Sequence, residues 1–337
     1  MEEIKKIAGP ITGIYTEPIS LSEPFMDFSA RFASMPGTTV LMSGGDLDSA
    51  KYHILGAKPW LVFSGRAHHM TITVENQSFE FKADPFDTLR SILKAFRLDD
   101  LDRGQPQLPK PIHAGLLGYL AYDLKDCLED LPRTSIDRLC LPHVYFTAPS
   151  IIVVHDKIDD TTQLCIPKRE LSGKNNLNKD LDVFKRIISD KPPKRRSFSG
   201  DAAGFKSNFT QTGYMNAIKK IREYIAAGDV YQVNMSQRFE MDVQGDVFSL
   251  FKTLYHNNPA PFFAFIHAGD HHIVSTSPER FLLQTGQKVE TRPIKGTRPR
   301  GKTPLEDKKL GRELKQSKKD DAELSMIVDL LRNDLGK

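Results

Sequence analysis

The sequence predicts a mixed α/β fold, with antiparallel strands in residues 40–154 and more helices after residue 208. Short apolar runs between residues 40 and 154 end at turn-forming residues, which is typical of antiparallel strands. Helical spacing of apolar residues, with capping residues at the ends, recurs in the second half of the chain. With 337 residues, 39% of them hydrophobic, the chain is long enough to bury a large core.

Composition and charge argue against several classes of protein. No apolar run approaches the ~20 residues that a membrane-spanning helix needs. The N-terminus lacks the apolar core of a signal peptide, so we expect a cytoplasmic protein. The 47 basic and 43 acidic residues leave a net charge of +4, which is too balanced to indicate nucleic-acid binding. Cys127, Cys140 and Cys165 lie far apart and predict neither a disulfide framework nor a cysteine-based zinc site.

The first elements are strands and one capped helix. Residues 60–63 and 70–74 are predicted strands, because each ends at a turn-forming pair. A helix is predicted at residues 85–96, where Asp84 caps the first turn and Pro85 takes the first helical position. Residues 104–111 contain three prolines and predict a loop.

The composition changes at residues 171–208, which we interpret as a connector between an N-terminal region, 1–170, and a C-terminal region, 209–337. The connector has few large apolar residues apart from a short predicted helix at 181–188. Its basic run at 191–196 contains no interleaved aromatic residues, so a solvated connector is favoured over a nucleic-acid-binding patch.

After the connector, a helix at 214–225 is capped by Thr210 or Thr212 and ended by Gly228. Residues 231–241 alternate between apolar and polar, which predicts a strand. Further strands are predicted at 262–266 and 273–274.

Two helices are predicted at the end of the chain. Thr303 to Glu306 form a capping box, and a last helix begins at about Ser317. Its buried side is predicted to contain five apolar residues: Leu324, Ile327, Val328, Leu330 and Leu331. Glu323 falls on the same stripe. A buried carboxylate needs a cation, and either a metal ion or a lysine can supply it.

Residues 296–303 match the P-loop pattern G-x-x-x-x-G-K-[ST], but their context argues against a phosphate site. A P-loop follows a buried strand, whereas residues 288–295 are mostly polar. Pro299 and Pro304 also remove amides where a phosphate would bind.

Glu279 and Lys295 are candidate catalytic residues. Glu279 lies at a turn into a strand, where a carboxylate either acts as a general acid or pairs with Arg280. Lys295 lies among three arginines, and neighbouring cations favour the neutral amine that a nucleophile needs. A basic, anion-binding strand explains the same residues equally well.

Four ordered motifs resemble the chorismate-utilising enzymes, which include component I of aminodeoxychorismate synthase and of anthranilate synthase and their isochorismate and salicylate relatives. The motifs are GDVYQVNMSQRF at 228–239, SPERF at 277–281, TRPIKGTRPRG at 291–301 and MIVDLLRNDLG at 326–336. Weaker similarity extends to residues 40–45 and 113–119. The resemblance implies two antiparallel sheets stacked into a sandwich, with helices outside and the active site between the sheets.

One residue separates the two synthases. Anthranilate synthases have alanine in the Pro-Ile-x-Gly-Thr segment, aminodeoxychorismate synthases have lysine, and this chain has Lys295. The resemblance therefore implies formation of 4-amino-4-deoxychorismate, which leads to p-aminobenzoate and folate. An anthranilate synthase component I and a non-catalytic chorismate- or tryptophan-binding relative remain the alternatives.

The resemblance also implies roles for individual residues. Lys295 would attack ring C2 of chorismate, Glu279 would help the 4-hydroxyl leave as general acid, and ammonia would then add at C4. Glu323 would bind Mg²⁺, although Leu324 stands where asparagine is usual in the family. Gly296 and Thr297 would bind substrate.

A tryptophan, as regulator or structural ligand, is implied at five residues: Leu41, Ser43, Pro261, Phe262 and Phe263. Ammonia would come from a separate glutamine amidotransferase subunit. We further expect these 337 residues to be catalytically incomplete, because relatives continue and supply a second magnesium carboxylate and a Gly-rich segment. We expect an exposed apolar patch on the last helix, and either poor solubility or a partly disordered C-terminal half. We also expect no measurable turnover when these residues are assayed beside a version extended to the natural stop codon.

Overall fold

The structure is a computed structural model that describes residues 1–97, 113–132, 136–171 and 174–336. These residues form two compact units, Met1–Pro192 together with Leu254–Lys337, and Pro193–Thr253. The predicted division at the connector 171–208 stays a prediction. The predicted loop at 104–111 lies outside the described residues.

The helices and strands of the described residues are as follows. The helices are α1 Glu2–Ala8, α2 Phe25–Ala30, α3 Pro85–Ala95, α4 Leu177–Ser189, α5 Gln211–Ala227, α6 Val247–Asn257, α7 Pro304–Lys315 and α8 Lys318–Leu335. The strands are β1 Ile11–Ile19, β2 Thr39–Met42, β3 Tyr52–Arg66, β4 His69–Val74, β5 Gln77–Lys82, β6 Leu117–Leu120, β7 Val144–Asp156, β8 Thr161–Leu171, β9 Lys174–Asn175, β10 Ser199–Gly200, β11 Lys206–Ser207, β12 Phe239–Glu240, β13 Val243–Gln244, β14 Phe262–His267, β15 His272–Ser277, β16 Arg280–Thr285 and β17 Lys288–Arg292.

An antiparallel sheet of eleven strands dominates the first unit. Its main path is β1-β8-β7-β3-β2-β14-β15, and β4, β5, β6 and β9 pair beside that path. The central strand β7 is buried along most of its length, and its Ile-Ile-Val-Val run at 151–154 is fully covered. The mixed α/β class with a large antiparallel sheet is therefore confirmed. The described residues also contain three separate two-stranded ribbons, and the stacking of two full sheets stays a prediction.

The main core lies where α1 and α3 cover the sheet. Trp60, Phe63 and Ile72 are buried in it, and the guanidinium of Arg169 lies 4.9 Å from the Trp60 ring. Helix α3 begins as predicted, because the Asp84 side chain accepts hydrogen bonds from the two amides of Phe86 and Asp87, each at 2.9 Å.

A buried polar network ties α4 to the sheet. Asp180 has 1% of its side chain exposed and accepts hydrogen bonds from Lys58 Nζ and from Asn176 Nδ2. Asn176 also donates to the carbonyl of Pro167 at 3.0 Å and accepts from the amide of Arg169 at 2.6 Å. The network supplies partners for a carboxylate that would otherwise be costly to bury.

Local signals predicted several helix ends correctly. Thr210 caps α5 and Gly228, with φ +83°, ends it. Thr303 caps α7 and Ser317 caps α8, as predicted. Helix α4 is longer than the predicted 181–188. The predicted strands at 262–266 and 273–274 lie within β14 and β15.

Two predictions in the C-terminal half are wrong. Residues 231–238 are not a strand, because in the described residues only the next two, β12, are paired as a strand, with β11. The stripe on α8 is not buried as the helical spacing predicted: Val328 and Leu330 are each 45% exposed, which agrees with the exposed apolar patch expected on the last helix. Strands and amphipathic helices both depend on a neighbouring element, and the described residues provide none at these two places.

Two smaller expectations can also be compared with the structure. Cys127, Cys140 and Cys165 are free thiols. Within the described ranges, every helix is too short or too polar to cross a membrane.

Candidate active site

Glu279 and Lys295 come together at the β16–β17 ribbon. Glu279 lies in the turn between β15 and β16, which is closed by hydrogen bonds with the hydroxyl of Ser277. Its side chain is exposed, and Oε1 accepts a hydrogen bond from the amide of Ile294 at 2.9 Å. The candidate acid is therefore anchored to the residue that precedes the candidate nucleophile.

Lys295 faces the first turns of α8. Its Nζ lies 3.8 Å from Oε1 of Glu323, and the two side chains are 29% and 34% exposed. The structure therefore places Lys295 beside Glu323, and Glu279 against the backbone of the residue before Lys295. Glu323 is only partly buried, in contrast to the inward position that the helical stripe predicted, because α8 buries none of its residues.

Gly296 lets the chain pass close to α8. Its φ of +75° lies in the left-handed region, and an added Cβ would lie 2.9 Å from Cβ and Cγ of Asp320 and from Cδ1 of Leu314. Only glycine fits this position without displacing its neighbours. Gly296 thus holds Lys295 against the helix, while the neighbouring Thr297 is exposed.

The arginines around Lys295 are paired with carboxylates. Arg298 donates to Asp320 at 3.0 Å, and Arg300 donates to Asp307 at 2.8 Å. A hydrogen bond with Ser317, reinforced by Arg298, holds the pKa of Asp320 below its usual range. Both arginines therefore have carboxylate partners within the protein. This argues against the interpretation of the strand as a general anion-binding surface.

Arg292 joins the ribbon to a distant part of the chain. Its NH1 donates to Oδ1 of Asp48 at 2.7 Å, and its guanidinium also pairs with Glu290. Arg280 pairs with the same Glu290, so β16 and β17 share one carboxylate. Sequence reasoning missed Asp48, and no local signal marks a residue that acts across 244 positions.

The P-loop match has a different structural role. The amide of Gly301 donates to Asp307 at 2.9 Å, and the amide of Lys302 donates to Glu306 at 2.7 Å. Carboxylates from the first turn of α7 therefore take the amides that a phosphate would need. This arrangement agrees with the sequence argument against a phosphate-binding loop.

The residues for which tryptophan binding was predicted meet where β2 pairs with β14. Phe263 lies opposite Met42, and Leu41 lies opposite Ala264 in the register. Phe263 is buried, while Leu41, Ser43 and Phe262 are partly exposed. The geometry brings this set together, and ligand binding there stays a prediction.

The backbone of Ser43 is held from both sides. Its amide donates to Nδ1 of His53 at 3.1 Å, and its carbonyl accepts from Nζ of Lys157 at 2.8 Å. His53 stacks on His155 with ring centroids 5.7 Å apart. Burial, reinforced by His155 and Lys157, lowers the pKa of His53 to about 3.

The low pKa of His53 predicts a pH-dependent stability. Below a pH of about 6.5, the unfolded chain binds a proton that the folded protein does not, so stability falls as the pH falls. Between pH 7.0 and 5.5, wild type should lose about 1 kcal/mol more free energy of unfolding than His53→Asn, which keeps an acceptor near Ser43. Urea unfolding of both proteins at the two pH values measures this. Equal losses would contradict the assignment.

Two further features lie away from this site. A cavity of about 630 Å³ is lined by Trp60, Ile92 and Phe96 among others, and none of its described lining residues is a predicted site residue. Asp123, Asp137 and His143 place ligand atoms within 4.8 Å of one another, but Arg66 donates to Asp137 at 2.7 Å and supplies a cation there.

Among the described carboxylates of this site, one is suited to bind a hard cation such as Mg²⁺. The ammonium group of Lys295 balances the charge of Glu323 and lies where a metal cation would bind. Asp320 is held by Arg298 and Glu279 by a backbone amide, so Glu323 is the candidate ligand of the three. A magnesium ion needs several oxygen ligands, so substrate oxygens or further carboxylates would complete the set.

The fold places a lysine paired with a carboxylate, Lys295 with Glu323, next to the backbone amide that binds Glu279, which is the arrangement of a candidate active site. Residues 49–337 match the family described as chorismate binding enzyme, and the chain belongs to that family. The described site residues all lie within the matched range, apart from Asp48 and the β2 segment.

Its curated relatives include both synthases that the motifs resemble. Anthranilate synthase component 1 of Cereibacter sphaeroides is 34% identical, over 88% of this chain and 61% of the relative. Aminodeoxychorismate synthase component 1 of Bacillus subtilis is 32% identical, over 86% of this chain and 62% of the relative. The chain thus spans less than two thirds of the length of either relative.

A solved structure supports the fold. Anthranilate synthase component I from Streptococcus pneumoniae superposes with a TM-score of 0.71 at 24% identity, covering 87% of this chain and 63% of that one. The chain therefore belongs to the chorismate-binding enzyme family and shares the fold of that protein.

Proposed function

We propose that the full-length protein aminates chorismate to 4-amino-4-deoxychorismate. The observation that carries the proposal is Lys295, which stands in the Pro-Ile-Lys-Gly-Thr segment and shares one site with Glu279 and Glu323. A lysine is a nucleophile when its amine is free, and a neighbouring carboxylic acid can protonate a leaving hydroxyl.

The proposed reaction has two substitutions. The free amine of Lys295 forms a bond to C2 of chorismate, both ring double bonds shift by one position, and the C4–O bond breaks. Glu279 gives its proton to the departing hydroxyl, which leaves as water. Ammonia then bonds to C4, both double bonds shift back, and the C2–N bond to Lys295 breaks. Glu279 takes up the proton that ammonia loses, so the enzyme returns to its starting state.

Other residues would hold the substrate for these steps. Gly296 and Thr297 offer main-chain and hydroxyl groups beside Lys295. Glu323 would hold Mg²⁺, whose chemistry when bound is to neutralise the carboxylates of the substrate. Pairing with Asp48 and Glu290 keeps Arg292 fixed, and so keeps the strand that leads to Lys295 in place.

The partner and regulator belong to the proposal as well. Ammonia would come from a glutamine amidotransferase subunit, in keeping with relatives that are named component 1. Tryptophan would bind near Leu41, Ser43 and the 261–263 segment as regulator or structural ligand. The cytoplasmic location predicted from the sequence stays a prediction.

Anthranilate synthesis is the second candidate function. The identities to relatives of that name are as high as those to the aminodeoxychorismate synthases: 34% for the protein from Cereibacter sphaeroides and 36% for the one from Thermus thermophilus. Anthranilate formation also begins with amination of chorismate, but it ends with the release of pyruvate. The two reactions therefore differ in a product that is easily measured.

Product analysis tests the proposal. The full-length protein is incubated with chorismate, ammonium and Mg²⁺, and the products are identified by mass spectrometry, with pyruvate assayed in parallel. We expect 4-amino-4-deoxychorismate and no pyruvate. Pyruvate released together with fluorescent anthranilate would overturn the proposal in favour of the second candidate, and chorismate binding without turnover would favour a non-catalytic relative.

A further inference from the structure

The ion pair between Lys295 and Glu323 joins two groups to which the proposed function gives separate roles. The 3.8 Å between Nζ and Oε1 is an ion-pair distance without a hydrogen bond. Both side chains are about one-third exposed, and such pairs are weak and easily exchanged. The amine of Lys295 therefore pairs with the carboxylate of Glu323, which is the group that the metal ion would bind.

The neighbouring pair is built differently. Asp320 and Glu323 lie three residues apart on α8, so they are neighbours on one helical face. Arg298 donates one nitrogen to Asp320 at 3.0 Å and another to the carbonyl of Thr297 at 2.8 Å. A guanidinium fixed at two points is harder to displace than an ammonium group at 3.8 Å. Of the two carboxylates, Glu323 is the one whose cation can be exchanged.

The backbone cannot relieve this contact. Gly296 lies so close to Asp320 that a Cβ there would be 2.9 Å from the aspartate side chain, which keeps residue 295 beside the helix. The long side chain of Lys295 is thus the part that can change position.

We propose that Lys295 is the resident counter-ion of Glu323 and that a divalent cation exchanges with it, which releases the amine toward the substrate. This inference rests on the proposed function, since it assigns the metal to Glu323. Coupling between two ligands of one group is reciprocal, so Lys295 must also weaken metal binding.

Metal affinity provides the first test. Mn²⁺ is titrated into the full-length protein at low ionic strength, its binding is followed by the electron paramagnetic resonance signal of Mn²⁺, and only the binding that Glu323→Gln removes is compared. Lys295→Met should tighten that binding about two- to fivefold. Lys288→Met removes the same charge from an exposed position on β17 and should leave it unchanged. Equal affinities in wild type and Lys295→Met, or no binding that depends on Glu323, would overturn the inference.

Chemical reactivity of Lys295 provides a second test that needs no turnover. Trace acetylation with acetic anhydride is measured by mass spectrometry at Lys295 relative to Lys288. Mg²⁺ should raise the ratio about twofold or more in wild type, and Glu323→Gln should raise it without metal. An unchanged ratio in both cases overturns the inference but leaves the proposed function standing. If the acetylation ratios change as expected but the protein forms anthranilate, the exchange between Lys295 and the metal ion is upheld. Only the proposed reaction is then overturned.

Discussion

Replacing Lys295 with alanine in the full-length protein is expected to abolish amination of chorismate and to leave chorismate binding largely intact. The amine is the atom that bonds to the substrate, and removal of a covalent nucleophile commonly costs several powers of ten in rate. Product formation by mass spectrometry and chorismate affinity by calorimetry measure the two effects separately. A Lys295→Ala protein that makes product at the parent rate would show that the assignment is wrong.

A matched control separates the loss of the nucleophile from the loss of a charge. Lys288→Ala changes the same residue type at an exposed position on β17, the strand that leads to Lys295. It is expected to keep the parent rate.

Glu279→Gln tests the general acid, since the glutamine amide keeps the shape of the carboxyl group and the contact to Ile294 but cannot give up a proton in the same way. It is expected to slow the reaction without preventing substrate binding.

Replacing Asp180 with alanine is expected to destabilise the protein by about 3 kcal/mol. The change leaves Lys58 without its ion-pair partner and removes one of the two acceptors of the Asn176 side-chain amide, the other being the carbonyl of Pro167. The cost falls at the lower end of the range for broken buried pairs, because 27% of the Lys58 side chain is exposed and can be hydrated. Urea unfolding followed by circular dichroism measures the change in the midpoint at constant slope.

Asp182 on the same helix gives the control for this prediction. It is exposed on α4, so Asp182→Ala is expected to change the free energy of unfolding by less than about 0.5 kcal/mol. A loss of similar size in both variants would mean that helix propensity, and not the buried network, explains the effect. Asp180→Asn should fall between them, since it keeps a hydrogen bond to Asn176 and loses the charge.

The parts of the fold that the sequence predicts well are those set by local chemistry. Asp84 with Pro85, Thr303 with Glu306, and Gly228 each act within one helical turn, and all three mark helix ends in the structure. Apolar runs of strand length, such as residues 60–63, were also assigned correctly. Their continuous apolar character reflects burial in a sheet, and recognising it needs no knowledge of the partner strand.

The parts that could not be predicted depend on distant neighbours. Residues 231–238 have the alternation of a strand, yet a strand forms only where another backbone accepts its hydrogen bonds. Asp48 reaches Arg292 across the sequence, and nothing around Asp48 distinguishes it from a loop aspartate.

The candidate site was predicted by motif and by residue chemistry together. Spacing alone left Glu279 as either an acid or an arginine partner, and Glu323 as either a metal ligand or a salt bridge. The structure pairs Glu323 with Lys295 and gives Glu279 a backbone donor. The metal role of Glu323 and the acid role of Glu279 are proposals that the Glu323→Gln and Glu279→Gln variants test.

The central claim is that Lys295 becomes covalently attached to the substrate, and the mass of the peptide that contains it tests this most directly. The full-length protein is mixed with chorismate and Mg²⁺ without ammonia, quenched, digested and analysed by mass spectrometry. We predict that the mass of the Lys295 peptide increases by the mass of chorismate minus one water. This increase should disappear when ammonia is added before the quench. An unmodified Lys295 peptide from protein that aminates chorismate once ammonia is present would contradict the account.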